Sequence, residues 1–246
     1  MGDEQQLRLR RHQHLADPAA LAMTAGAVVH LACGEVAALL REAPEPAQWL
    51  SDSEMERLAA IRTPPRRAQF LAARWQARWL LAQVLGGRPG DWALDAPRDA
   101  PPRVRVRQDL CLSISHSAAF TACALAGAPV GLDLEQPRRR RDIAGLIELV
   151  CTPREQAMFT ALPEPTREAL FYELWTVKEA WLKRRGEWIA PARLAQVEAR
   201  RRSDGELRTW RGEHWQLAVT AGEPRWWSPQ PRAGQAWAVL DLSAGA

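Results

Sequence analysis

The sequence predicts an α+β fold made as one compact body with two lobes. Strand-like runs come first, a block of helical segments follows, and strand-like runs return toward the C-terminus. The usage is that of an ordinary globular protein, with 47% hydrophobic and 25% charged residues. A chain of 246 residues is also long enough to bury a substantial core.

Residues 1–25 cluster Arg, His and Gln with little periodicity and read as a loosely attached, mobile extension. The first lobe, 26–128, opens on the strand-like run Ala27-Val28-Val29-His30-Leu31. After a proline-bearing loop, Ser53 to Ile61 reads as a short helix, and Pro64-Pro65 ends whatever precedes it. Arg66 to Leu85 is a helix, with Leu71, Trp75 and Trp79 repeating at i+4 and Gly86-Gly87 as its stop. Arg67, Arg74 and Arg78 share a narrow arc of it, so one face is basic; for Arg74 and Arg78 the plain reading is a solvated face over the core. Residues 87–103 read as loop. Leu110, Leu112 and Ile114 then alternate as a strand that ends in Ser115-His116-Ser117, and Phe120 to Ala126 forms another. Gly127 and Pro129 mark the boundary between the lobes.

The second lobe, 129–246, opens with the strand Val130-Gly131-Leu132-Asp133-Leu134-Glu135. Helices follow over Asp142–Val150, Thr152–Leu162 and Thr166–Arg185. Leu170, Leu174, Val177 and Trp181 give the last of these its apolar stripe, and Arg184, Arg185 and Gly186 close it favourably. Strand-like runs at Leu194–Ala199, His214–Ala221 and Gln235–Leu242 complete the lobe.

Several function classes fall away on composition. Cys33, Cys111, Cys123 and Cys151 are widely spaced, with no CxxC pair, so they indicate neither a zinc site nor a disulfide framework. The Ala- and Leu-rich stretch from Leu15 to Leu40 is interrupted by Asp17, Pro18, His30 and Glu35, so it is too broken for a membrane span and the default location is the cytoplasm. The net charge of +4 rests almost wholly on arginine. With an isoelectric point near 9.2, the surface is suited to phosphates or acidic proteins. A nucleic-acid-binding protein is the competing class, on the strength of the arginine excess, the run Arg138–Arg141 and 12 tryptophans. Most of those tryptophans fall at helical or strand core positions, and no nucleic-acid motif is present.

Three patterns carry chemistry. Asp133 and Glu135 alternate to one side of their strand, roughly 7 Å apart by the strand rise. Magnesium is a hard ion that uses one or two carboxylates with phosphate oxygens and water, and such a pair suits it. Taken alone, a DxE strand is ordinarily a solvent-exposed face. Glu179 and Lys183 are one helical turn apart and share a face with Thr176 and Tyr172, so an acid and a cation can be presented together. An arbitrary ExxxK is a surface ion pair. His116 stands where its strand gives way to a loop, a position from which it can hydrogen-bond a ligand. Ser115 or Ser117 as a hydrolase nucleophile lacks the G-x-S-x-G elbow and a partner histidine.

Taken in order, Ser115-His116-Ser117, Val130 to Glu135, and Trp175 to Lys183 resemble the signature of the Sfp-type 4'-phosphopantetheinyl transferases. The resemblance runs from about Ala27 to Leu242. It implies a pseudo-twofold pair of α/β lobes with coenzyme A, the co-substrate, in the cleft between them. It further implies a magnesium ion held by Asp133, Glu135 and Glu179, with Glu179 also the base and Lys183 acting on the leaving 3',5'-ADP phosphate. Ser115, His116, Lys178 and Asp133 are then placed at coenzyme A, with Arg66 and Arg67 near its 3'-phosphate. The implied acceptor is a serine of an acidic apo-carrier protein, and the enzyme a monomer needing neither membrane nor nucleic acid. An inactive carrier-binding relative is the other alternative, and the complete set of carboxylates and lysine argues against it. Two segments depart from the pattern. Asp99-Ala100-Pro101-Pro102-Arg103 replaces a Gly-Lys/Arg-Pro segment near the adenine, and Gly186-Glu187-Trp188-Ile189 replaces Gly-x-Gly-Leu.

Overall fold

Two sheets, one mixed and one antiparallel throughout its described pairings, organise the chain, as seen in a computed structural model that describes residues 29–96, 100–137, 142–221, 227–228 and 235–245. The extension at 1–25 and the run Arg138–Arg141 lie outside the described residues. In chain order the elements are β1 (Val29–Glu35), α1 (Val36–Glu42), α2 (Asp52–Ala60), α3 (Pro64–Leu85), β2 (Leu94–Asp95), β3 (Arg103–Val104), β4 (Cys111–Ser117) and β5 (Phe120–Ala126). There follow β6 (Gly131–Glu135), α4 (Ile143–Val150), α5 (Pro153–Phe159), α6 (Glu164–Arg185), α7 (Pro191–Leu194), β7 (Val197–Arg201), β8 (Leu207–Arg211), β9 (Gln216–Thr220), β10 (Trp227–Ser228) and β11 (Gln235–Asp241). The first sheet runs β10-β1-β5-β4 and the second β6-β9-β8-β11-β7, while β2 and β3 pair by themselves. The α+β class holds. The chain changes sheet between Ala126 and Gly131, and among the described residues only β10 crosses back, pairing in parallel with Val29 and His30.

Local chemistry explains most boundaries. Pro64 and Pro65 start α3 rather than ending the preceding segment, since proline at the first helical turn has the required φ and no N–H to waste. Gly86, at φ +87, stops that helix and Gly186, at φ +67, stops α6. Ser51 with Glu54, and Thr152 with Glu155, form reciprocal capping boxes at the starts of α2 and α5. The expected stripe of α6 is present, with Leu174, Val177 and Trp181 buried in the second-lobe core.

The basic face of α3 proves to be interior. Arg78 is fully buried and Arg74 nearly so. Arg78 Nη1 donates to Glu54 Oε1 at 3.0 Å, its guanidinium stacks over Trp49, and Arg74 Nε lies 3.8 Å from the same carboxylate. The helix therefore packs on two sides, with Ala77, Leu80, Leu81 and Val84 against the first sheet and the arginines against α2. Those arginines and Trp49 and Trp75, also buried, are withdrawn from any nucleic-acid surface. No described helix is long and apolar enough to cross a membrane.

Removing one partner of a buried ion pair strands the other. Glu54→Ala is expected to cost about 3–5 kcal/mol in chemical denaturation, and replacing Glu54 and Arg78 together by apolar residues of similar volume should recover most of it. A single-variant loss no larger than that of a surface substitution would contradict this role.

Candidate active site

The two sheets present edge strands to each other, β4 from the first and β6 from the second, and the site forms at their joint. Ser113, Ser115 and Ser117 alternate to one side of β4. Ser113 Oγ accepts from Leu132 N at 3.0 Å. Ser115 Oγ donates to Asp133 Oδ1 at 2.9 Å, and Ser117 Oγ donates to Glu135 Oε2 at 2.8 Å while accepting from Gln136 N at 3.0 Å.

On β6, Gly131, Asp133 and Glu135 face α6. A Cβ on Gly131 would overlap the carbonyl oxygen of Ala180, so the absence of a side chain is what lets the strand approach the helix backbone. That approach brings Asp133 within reach of the next turns of α6. Lys183 Nζ donates to Asp133 Oδ1 at 2.6 Å and to Ser115 Oγ at 3.2 Å, and lies 3.8 Å from Glu179 Oε2.

The site concentrates negative charge in a poorly hydrated place. Burial, and then the neighbouring Asp133, push the Glu179 carboxyl up to about 8, with Lys183 opposing and Glu135 adding to the rise. Burial alone would lower the Lys183 ammonium, but Asp133 and Glu179 more than offset it and hold it above its usual range. His116 Nδ1 lies 3.0 Å from Arg66 Nη1. A guanidinium only donates, so Nδ1 accepts and the ring proton sits on Nε2. Burial first, and then the Arg66 charge, bring His116 down to about 4, so it is a neutral donor at ordinary pH.

The residues suit a hard cation that takes few protein ligands. Asp133 is 2% exposed, and its Oδ2 has no hydrogen-bond partner among the described residues. A buried carboxylate oxygen left in that condition is costly unless a cation or donor meets it. Among the described residues no three acidic, His or Cys side chains converge into a ready-made cage. Magnesium does not need one, because it keeps waters and phosphate oxygens beside one or two carboxylates. Asp133, with Glu135 or Glu179 beside it, could supply those carboxylates.

Two expected ligand contacts are redirected. Lys178 is fully buried on the far side of α6, where Nζ lies 2.5 Å from Glu155 Oε2 and donates to the carbonyls of Val150 at 2.8 Å and Leu194 at 3.0 Å. It holds the helix block together and cannot reach a phosphate in the cleft. Arg67 donates to Leu58 O at 2.7 Å, closing the end of α2, so Arg66 alone of the pair meets His116. Sequence reasoning passed over Ser113; the period-two serines of Cys111–Ser117 were the available sign of a polar face.

Comparison with known proteins places the chain among 4'-phosphopantetheinyl transferases. The 4'-phosphopantetheinyl transferase superfamily model matches residues 129–236, which include Asp133, Glu135, Glu179 and Lys183. The 4'-phosphopantetheinyl transferase HetI of Nostoc sp. is 30% identical over 200 residues, covering 80% of this chain and 74% of that protein. A putative 4'-phosphopantetheinyl transferase of Synechocystis sp. is 31% identical over 144 residues, or 57% of this chain and 58% of its own length. The 4'-phosphopantetheinyl transferase Sfp of Bacillus subtilis is 25% identical over 171 residues, 64% and 75% of the two chains.

The raised Glu179 carboxyl has a thermodynamic consequence when no metal is present. Below its ordinary value of 4.5 it is protonated whether the chain is folded or not; between 4.5 and about 8 only the unfolded chain ionises freely, so this group costs stability progressively as pH rises. In chelator, Glu179→Gln is therefore expected to melt higher than the parent at pH 8, by several degrees, and to match it near pH 5. A gap that does not widen with pH would remove the charge crowding assigned to this group.

Proposed function

The chain belongs to the 4'-phosphopantetheinyl transferase superfamily, and is a transferase of that kind. From that premise we propose that it moves the 4'-phosphopantetheine arm of coenzyme A onto a serine of an apo-carrier protein, with magnesium, releasing 3',5'-ADP. The observation that carries this reading is the meeting of Asp133, Ser115 and Lys183 at the strand joint, with Glu179 beside them and Asp133 Oδ2 unpartnered.

The acceptor serine oxygen forms a bond to the pantetheine-side phosphorus as the bond from that phosphorus to the bridging oxygen breaks. Glu179, held beside Asp133 and Lys183, is the carboxylate placed to receive the serine proton. Lys183 is a fixed cation, steadied by Asp133 and Ser115, that donates to the phosphate leaving with 3',5'-ADP. When bound, magnesium would neutralise charge on the pyrophosphate. Arg66 and the neutral Nε2–H of His116 offer donors to the nucleotide phosphates from the first lobe. No covalent enzyme intermediate is needed.

All four cysteines are free thiols, which supports a reducing, cytoplasmic setting, and the same reading takes the chain as a monomer acting on an acidic carrier. The complete acid, base and lysine set weighs against an inactive carrier-binding relative.

Incubation with coenzyme A, magnesium and a panel of apo-carrier proteins should add the arm to at least one, read by intact mass. Asp133→Ala, Glu135→Ala and Glu179→Gln are each expected to lower turnover about a hundredfold or more while the chain stays folded. Near-parental transfer by any of them in chelator would overturn the metal assignment. Neutralising Arg66 or His116 should raise the KM for coenzyme A more than that for 3'-dephospho-coenzyme A. An equal rise for both would take them away from the 3'-phosphate.

A further inference from the structure

The sheet face that carries the carboxylates continues past them. In the second sheet, Glu135 is registered opposite Gln216 and Gln216 opposite Arg211. Directly opposed residues of antiparallel strands share a face, so these three side chains form one row on the α6 side of the sheet. The neighbouring row, Asp133, Ala218 and Thr209, identifies the face independently, because Thr209 Oγ1 donates to Glu173 of α6 at 2.9 Å. Gln216 is 5% exposed, a polar side chain set between Glu135 and Arg211 in this row. Arg211 is exposed and carries no ion pair among the described residues, whereas Arg200, Arg201 and Arg202 are each held by an acid. Its backbone is held in place, since the turn beyond it is closed by Gly212 N donating to Trp215 O at 2.9 Å, with the Trp215 ring lying where a Gly212 Cβ would stand.

Chemistry decides which substrate this row meets. In phosphoryl transfer the attacking and leaving oxygens lie roughly in line through phosphorus. The proposed nucleotide donors, Arg66 and His116, stand on the β4 side of Asp133, so the acceptor oxygen must arrive from the opposite side, where β9 and β8 lie. Resting on the transferase reading above, we propose that Gln216 and Arg211 bind the acceptor polypeptide, Gln216 by its backbone and Arg211 by an acidic side chain close in sequence to the modified serine. Arg211 is about 10 Å from Glu135 across two strand spacings, and an extended segment covers about 7 Å in two residues, so an acid within a few residues of the serine spans the gap. An exposed cation there, with no ion pair among the described residues, favours such a segment over a neutral one.

The test uses the full-length enzyme, coenzyme A, magnesium and an apo-acyl carrier protein that the parent modifies. Arg211→Glu should raise the KM for the carrier roughly tenfold or more, leave the KM for coenzyme A unmoved, and flatten the salt dependence of transfer. A carrier whose acidic residue beside the serine is changed to lysine should regain transfer with Arg211→Glu and lose it with the parent. Gln216→Ala should shift the carrier KM in the same direction; if its melting temperature shows that it is unfolded, Arg211→Glu and the charge swap decide. An unchanged carrier KM, or a rise confined to coenzyme A, overturns the proposal. Should the parent modify no carrier at all, it is the transferase reading that fails, and the two failures are thereby separate.

Discussion

Two sheet edges confront each other at β4 and β6 without joining into a ladder, and the hydroxyls of Ser113, Ser115 and Ser117 span the gap. A continuous ladder would have used the backbone groups of both strands on each other and left a flat surface there. Side-chain bridging lets the two edges meet while the carboxylates of Asp133 and Glu135 remain the groups being bonded. The joint is thus both the seam between the sheets and the scaffold of the site. Ser115 illustrates the economy, since one hydroxyl accepts from Lys183 and donates to Asp133.

That seam would be of little use if α6 stood further off. Packing of β6 onto the helix backbone at Gly131 sets the separation at which Lys183 reaches Asp133, so a missing side chain governs the spacing of two charged ones. The resulting cluster opposes stability: carboxylates are brought together in a place where burial already disfavours their charge. Natural sites tolerate such cost where it serves binding, and the remainder of the second lobe offsets it. Around Lys178 the offset is visible, because Glu155 meets that ammonium and also accepts from Thr152 N at 2.8 Å and Ala199 N at 2.8 Å, tying α5, α6 and β7 to one buried centre.

Much of this was legible beforehand, and the failures share one cause. Spacing along β6 and α6 was enough to place Asp133 with Glu135 and Glu179 with Lys183, because period two and period 3.6 determine which side chains share a face. What spacing cannot supply is the identity of the element opposite that face. Arg74 and Arg78 looked solvated because nothing in α3 itself announces Glu54, which comes from a helix whose capping residue also serves as their counter-charge. Arg67 was bracketed with Arg66, yet neighbouring helix residues differ by about 100° in direction, and one of them turned to the end of α2. The strand β8 escaped notice because Leu207-Arg208-Thr209-Trp210-Arg211 alternates around only one strongly apolar inward position, with Thr209 satisfied by Glu173 rather than by apolar contact.

The same angular arithmetic accounts for the adjacent pair Lys178 and Glu179. Consecutive on α6, they point about 100° apart, so a single step along the helix passes from the core of the lobe to the cleft. A lysine at 178 is held by two carbonyls and a carboxylate, all on other helices, and so cannot rotate without breaking a buried ion pair. Rotation of α6 about its own axis is opposed by that centre on one side and by the Gly131 contact on another. Glu179 and Lys183 therefore present their charges in a direction fixed from outside the cleft. The transfer proposed for this site needs its groups oriented before the substrate arrives, and here that orientation is set in the core.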